Sequence, residues 1–427
     1  MKKSTIKSPA FPAAINYQWV IFAILSTTHM MMAMFFYSWG PLAPIIKEKT
    51  LINNSEFGLI VSTMYFVMVI ISIPSGFLTD KYGAKWMLLL SGSLMGVAFF
   101  LMPLFPFYGF LFVVAALAGA GYGMINQITA KGLMYWFEPD KRATVMGIKQ
   151  TGVTIGGGLI GIYIPFFGMI MGWQKAIMLL VFVIFGILLF SYFFYKEKPT
   201  SLETPSPSPG TAPDKKKISV RSILLKPALI FLTAILSLFA VCQACLTAFL
   251  VIYVHEVFHL SMAIAGSLFT VAMVGGTISR ILFGLISDRL FRRDRITPLA
   301  LLALIGVFST LAVVFLNATP PLWLLFMISA FLGVSLMGWN SLAMVFVAEI
   351  AGNELVGSVM GVLFAIAWGG MVIGPPIFGA IIDLNGYNSG WLMLSILLGI
   401  SCVGLVIIRK IQKKESMPVN SAHHTQT

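Results

Sequence analysis

The sequence predicts an all-α membrane protein of twelve transmembrane helices, arranged as two pseudo-symmetric six-helix bundles. Three observations predict it. Of 427 residues, 58% are hydrophobic and only 10% charged, where a soluble domain carries about 25% charged residues. The apolar residues gather into twelve runs, each long enough to cross a hydrocarbon core about 30 Å thick. Two short motifs in the first half also recur in the second at nearly one spacing.

The runs cover about 17 to 46, 56 to 79, 85 to 104, 107 to 136, 142 to 171, 175 to 195, 227 to 256, 262 to 287, 297 to 316, 321 to 349, 355 to 383 and 389 to 409. Long apolar runs without strand-like alternation satisfy their backbone internally as helices, which excludes a barrel. The first run, Ile15 to Ile46, holds no acidic or basic residue except His29. It is too long for the apolar region of a signal peptide and reads as an uncleaved span. Residues 196–226 are rich in Pro, Ser and Lys, cannot form a core, and read as a cytoplasmic linker. It separates an N-terminal bundle (17–195) from a C-terminal bundle (227–411), with cytoplasmic ends at 1–16 and 412–427. Its basic ends are expected to rest on anionic headgroups.

The net charge of +13 does not point to nucleic acid, because the basic residues cap apolar runs rather than cover one face of a soluble domain. With the N-terminus inside, Lys47, Lys49 and Lys175 fall in outer loops and Lys131, Lys149 and Arg280 fall within spans; every other lysine and arginine is cytoplasmic. Lysine and arginine bias therefore places both termini in the cytoplasm, with the chain in a plasma membrane such as a bacterial inner membrane. Cys242, Cys245 and Cys402 give no disulfide framework, and Cys242-Gln-Ala-Cys245 lies mid-span, where cysteine packs as a small hydrophobe.

The repeated motifs are Gly76-Phe-Leu-Thr-Asp80-Lys81-Tyr-Gly83 with Gly284-Leu-Ile-Ser-Asp288-Arg289, and Ala143-Thr-Val-Met-Gly147-Ile with Gly357-Ser-Val-Met-Gly361-Val. Residues 76 and 284 lie 208 apart, and residues 147 and 361 lie 214 apart. Two matches at nearly one offset indicate a duplication. With twelve spans and a central linker, the loop motif resembles that of the major facilitator superfamily over nearly the whole chain. That resemblance implies secondary transport by alternating access. Gly76 is expected to allow close helix approach, and Asp80 to meet the positive N-terminus of the eleventh span. By symmetry Asp288 is expected near Arg142 at the start of the fifth span, with Arg289 beside it.

Within the spans the charge is entirely positive. Arg280 lies eight residues before Asp288, about 12 Å inside its helix, with Gly276 and Gly284 one turn to either side. An ionisable side chain at that depth is a functional-site hypothesis by default. All fifteen Asp and Glu residues fall in loops or near span ends, so an anionic ligand is favoured over a cation. The duplication acts as a control: the repeat mates of Arg280 and Lys149 are Ser72 and Leu363, so the scaffold does not require either charge. Bonding of Arg280 to backbone carbonyls is the alternative reading.

Arg280-x-x-x-Gly284 is similar to the eighth-helix arginine and glycine of monocarboxylate carriers and the oxalate/formate exchanger, where the arginine holds a carboxylate. The dicarboxylate exchanger adds a lysine in its eleventh helix. The eleventh span here has none, which leans toward a monovalent acid. Lys149 lies about 10 Å inside the fifth span and either faces the cavity or snorkels. Gln150 resembles the fifth-helix glutamine of sugar-carrying members. His29 is a candidate proton relay, with a neutral hydrogen-bonded histidine as the alternative. Tyr37, Gln243 and Asn340 are further ligand candidates, with Asn126, Gln127, Trp339 and Trp368 behind them, and snorkelling is favoured for Lys131.

The expected cargo is thus a small organic anion, a monocarboxylate by preference, exchanged for another anion or moved with protons. Proton-coupled drug efflux is the alternative, although the fifth span lacks the proline of the drug antiporters' glycine motif. A membrane sensor is disfavoured because no extramembrane segment is large enough to fold as a signalling domain. No phosphate-binding loop is present, so ATP drive is excluded. The expected partners are the lipid bilayer and the transported ions, without nucleic acid or cofactor, for a monomeric protein that is not an enzyme.

Overall fold

The computed structural model describes residues 14–197, 227–291 and 294–415. The N-terminal segment 1–13, most of the expected linker (198–226), Arg292, Arg293 and the tail beyond 415 lie outside the described residues. Among the described residues twelve helices follow in order: α1 Ala14–Tyr37, α2 Trp39–Thr50, α3 Asn54–Tyr82, α4 Ala84–Leu101, α5 Tyr108–Trp136, α6 Pro139–Met171, α7 Trp173–Phe194, α8 Pro227–Phe258, α9 Met262–Arg289, α10 Ile296–Val314, α11 Leu322–Asn385 and α12 Tyr387–Glu415. They supply twelve stretches long and apolar enough to span a bilayer.

Helix count and span count agree only because two differences cancel. The first span, expected as one helix, breaks at Ser38 into α1 and α2. Pro41 has no N–H to give the Tyr37 carbonyl and its ring crowds it, so the ladder restarts with Leu42 N–H donating to Ser38 O at 2.9 Å. The tenth and eleventh spans, expected as separate helices, are one run of helical hydrogen bonding, α11, 64 residues long. A straight helix of that length would measure about 96 Å. Its two spans, Leu322–Ile350 and Val359–Asn385, pack on α9 and α8 respectively.

The duplication is visible in the packing. A Cβ on Gly119 would meet the Met64 carbonyl oxygen at 2.2 Å, and one on Gly333 would meet that of Ala272 at 1.8 Å. Likewise Gly58 lies against Pro375 where Gly266 lies against Gly161, and Gly156 against Met30 where Gly370 lies against Ser237. The partners in each comparison stand at, or within one residue of, the sequence offsets. Bare backbone at these positions lets helices approach closely where dispersion, rather than water exclusion, holds them together.

The two halves meet along α3 with α11, α6 with α9, and α2 with α8. At the end expected to face outward they are tied together. Lys47 Nζ donates to Glu256 Oε1 at 2.6 Å and to Asn54 Oδ1 at 2.7 Å, and the Tyr387 hydroxyl donates to Glu256 Oε2 at 2.6 Å. Asp383 accepts from the Asn54 N–H, the Asn54 side-chain amide and the Ser55 N–H at 3.1, 2.8 and 2.8 Å, so a carboxylate from one half caps the N-terminus of α3 in the other.

At the opposite, splayed end no hydrogen bond or ion pair joins the halves among the described residues. The four motif glycines, Gly76, Gly147, Gly284 and Gly361, each have open space where a Cβ would be. The cross-half contacts expected of Asp80 and Asp288 are not found among the described residues, which leave out the side chains at 351–358, where the eleventh span begins. Asp80 pairs with Lys131 of its own half, and Asp288 with Arg295 at 2.6 Å, which also holds Glu349 at 2.8 Å. Arg142 donates from Nε to the Phe137 carbonyl at 3.0 Å, and Arg289 is exposed. Lys131 reaches toward the helix end as snorkelling predicts, its Nζ also donating to Thr79 O at 2.8 Å.

Candidate functional site

Arg280 projects from the splayed part of α9 toward the seam between the halves. Its Nε donates to the Met337 carbonyl of α11 at 3.1 Å, and the Ser341 hydroxyl donates to its own carbonyl at 3.5 Å. One edge of the guanidinium is thus fixed to main chain, in keeping with the alternative reading. Among the described residues, neither terminal nitrogen has a hydrogen-bond partner. The anchor orients the fork and leaves its two-pronged side unoccupied.

From the other half, Tyr37 at the end of α1 and Tyr122 on α5 are both buried, and both pack on Phe36. The break after Tyr37 ends α1 in the middle of the protein and places this residue at the seam, near Gln243 of α8. Tyr122 stacks on Phe36 with ring centroids 3.9 Å apart, and Phe36 meets Tyr37 and Tyr65 edge to face at 5.3 and 5.4 Å. These contacts give rigid aromatic walls.

On the C-terminal side, Gln243 Oε1 accepts from Trp339 Nε1 and Asn340 Nδ2, both at 3.0 Å. Gln243 and Asn340, two independent candidates in the sequence, therefore form one unit whose amide orientation is set. Towards the tied end, the seam is filled by Gly40 against the Thr247 backbone and by the Tyr65 and Thr247 hydroxyls 3.3 Å apart.

Lys149 and His29 lie in the N-terminal half. Lys149 is 4% exposed, and its Nζ donates to Thr129 Oγ1 at 3.1 Å and Asn126 Oδ1 at 3.3 Å. His29 is fully buried, with its ring 6.0 Å from that of Tyr122, and neither ring nitrogen has a partner among the described residues. The neutral histidine bonded to a neighbouring helix is therefore not what the structure shows. Gln150 is half-buried on the neighbouring face of α6. No Asp or Glu among the described residues bonds to Arg280 or Lys149.

Residues 25–369 match the model of the Major Facilitator Superfamily. The chain belongs to the major facilitator superfamily. Curated major facilitator relatives include the hexuronate transporter of Bacillus subtilis (strain 168), 24% identical over 83% of this chain and 85% of that protein. The probable sulfoacetate transporter SauU of Cupriavidus necator is 24% identical, covering 88% and 90%. The membrane sensor protein UhpC of Escherichia coli (strain K12) is 21% identical, covering 90% and 91%. A solved bacterial homologue of the human lysosomal transporter Spinster, inward-facing and occupied, superposes with a TM-score of 0.77 at 15% identity, covering 93% of this chain and 98% of that one. This major facilitator chain is accordingly a multi-pass membrane protein and a secondary transporter, not an enzyme.

Sequence reasoning about this major facilitator site missed Tyr122 and Thr129. The signal was present: Tyr122, Asn126 and Thr129 are spaced four and three apart and share one helical face. Cys242 and Cys245 are fully buried free thiols within α8, as packing requires.

Proposed function

We propose that this transporter carries small organic anions by alternating access, with the Arg280 fork receiving a carboxylate or similar oxyanion between the two halves. One observation carries the reading: a guanidinium held at one edge by a main-chain carbonyl, with no partner for its terminal nitrogens and no acid bonded to it among the described residues. The names of two relatives, transporters of hexuronate and sulfoacetate, support an anionic cargo. Monocarboxylates are the simplest acids that satisfy one fork and the first to test. Coupling is to proton symport, with His29 as the proton-carrying candidate, or to exchange of anions. Both termini are cytoplasmic in the plasma membrane, so the splayed end, with Asp80 and Asp288, is open to the cytoplasm.

Uptake of labelled lactate and pyruvate into proteoliposomes, with and without a pH gradient, tests this. Wild-type protein is expected to accumulate acids and Arg280→Ala to lose uptake. Transport of lipophilic cations that persists in Arg280→Ala would replace this reading with drug efflux.

A further inference from the structure

The sequence leans toward a one-headed acid because the eleventh span offers no lysine as a second cation. The structure supplies a second cation from elsewhere. Down the seam, Gly161 meets Gly266, Gly158 O accepts from Thr270 Oγ1 at 2.7 Å, and Gly157 meets Met273. These pairs step in opposite directions along α6 and α9, and continuing the series brings Lys149 to the level of Arg280. Each half thus contributes one cation at one depth of the membrane.

The surroundings of Lys149 are unfinished. Two of its three N–H groups go to neutral oxygens of Asn126 and Thr129, which leaves its charge unmatched. A buried charge without a counter-ion is costly. Where α1 packs on α6, with the Ser26 carbonyl and Met30 beside Gly152, His29 has two ring nitrogens and Ser26, three residues earlier, a buried hydroxyl without partners among the described residues. Lys149 thus has one unused N–H, and on the adjoining α1 a neutral His29 has one N–H and Ser26 one hydroxyl without an acceptor among the described residues. The Tyr122 ring lies 6.0 Å from the His29 ring, centroid to centroid.

We infer that the cargo carries two anionic groups on a short spacer, one on the Arg280 fork and the other at a second oxyanion position formed by Lys149, His29 and Ser26. The inference rests on the carrier reading above and changes its cargo from one-headed to two-headed acids. The second anion supplies the missing counter-charge, and its oxygens take the unused Lys149 N–H, a His29 ring N–H and the Ser26 hydroxyl.

The test compares acids of equal chain length in proteoliposomes: malonate against propionate, and succinate against butyrate. Wild-type protein is expected to favour the diacid of each pair. Lys149→Gln is expected to lower the diacid-to-monoacid ratio at least about tenfold, the scale of losing one desolvated charge pair, and Lys149→Arg to restore most of it. Arg280→Gln is expected to depress both acids of each pair. Wild-type transport of monoacids alone, or a Lys149→Gln ratio equal to wild type, would overturn the inference and leave the carrier reading in place. Failure to transport either class would remove both.

Discussion

Arg280 and Gln243 show how single residues are committed before cargo arrives. Because the Met337 carbonyl holds only Nε, Arg280→Lys keeps the charge but loses the oriented fork. It is expected to reduce acid transport by about tenfold or more, read as initial uptake rate with protein level and melting temperature unchanged. Gln243→Leu should behave differently, leaving the Trp339 and Asn340 donors buried without an acceptor. A cost of about 1 to 3 kcal/mol per orphaned group predicts a lowered melting temperature together with weaker transport. The positions of these residues along their spans were legible in the sequence, because charge in an apolar run announces itself. Their partners were not, since hydrogen bonds between α5 and α6 or α8 and α11 join residues 20 to 97 positions apart.

The elements carry two kinds of glycine, and the sequence alone did not separate them. Gly333 packs against the Ala272 backbone, whereas Gly361 faces open space. Gly333→Ala is therefore expected to destabilise by about 1 to 3 kcal/mol or more, measurable as a drop in melting temperature. Gly361→Leu should leave the stability of this conformation nearly unchanged and still slow uptake, because the splayed ends could no longer close. Equal thermal losses in the two variants would contradict that distinction. The break between α1 and α2 invites a third substitution: Pro41→Ala restores an N–H to the Tyr37 carbonyl, straightens the span and moves Tyr37 off the seam. Weakened substrate binding is expected, read by a substrate-induced thermal shift. The proline at 41 is plain in the sequence, yet it does not say whether the helix will kink, break or tolerate it. The surrounding helices decide that.

At the scale of the whole molecule, twelve spans, the duplication and the family were legible because the bilayer enforces run length and repetition leaves an arithmetic trace. The conformation was not, because a sequence does not specify which arrangement of its halves is populated. The tied end is held by the Lys47–Glu256 pair, the Tyr387 hydroxyl and the Asp383 cap. Asp383→Asn weakens three cross-half hydrogen bonds and should shift the population toward the opposite state by about 1 to 3 kcal/mol. Labelling of a cysteine placed beside Tyr65 by a membrane-impermeant reagent from outside is expected to speed up; an unchanged rate would show that the cap does not hold the gate. The uncompensated cations have an electrical consequence as well. Each positive charge carried across the full membrane potential costs or gains about 2.3 kcal/mol per 100 mV. An empty carrier that swings Arg280 and Lys149 through even part of that field feels the voltage, whereas one loaded with a dianion is neutral there and does not. The return of the unloaded protein then becomes the step that polarisation controls.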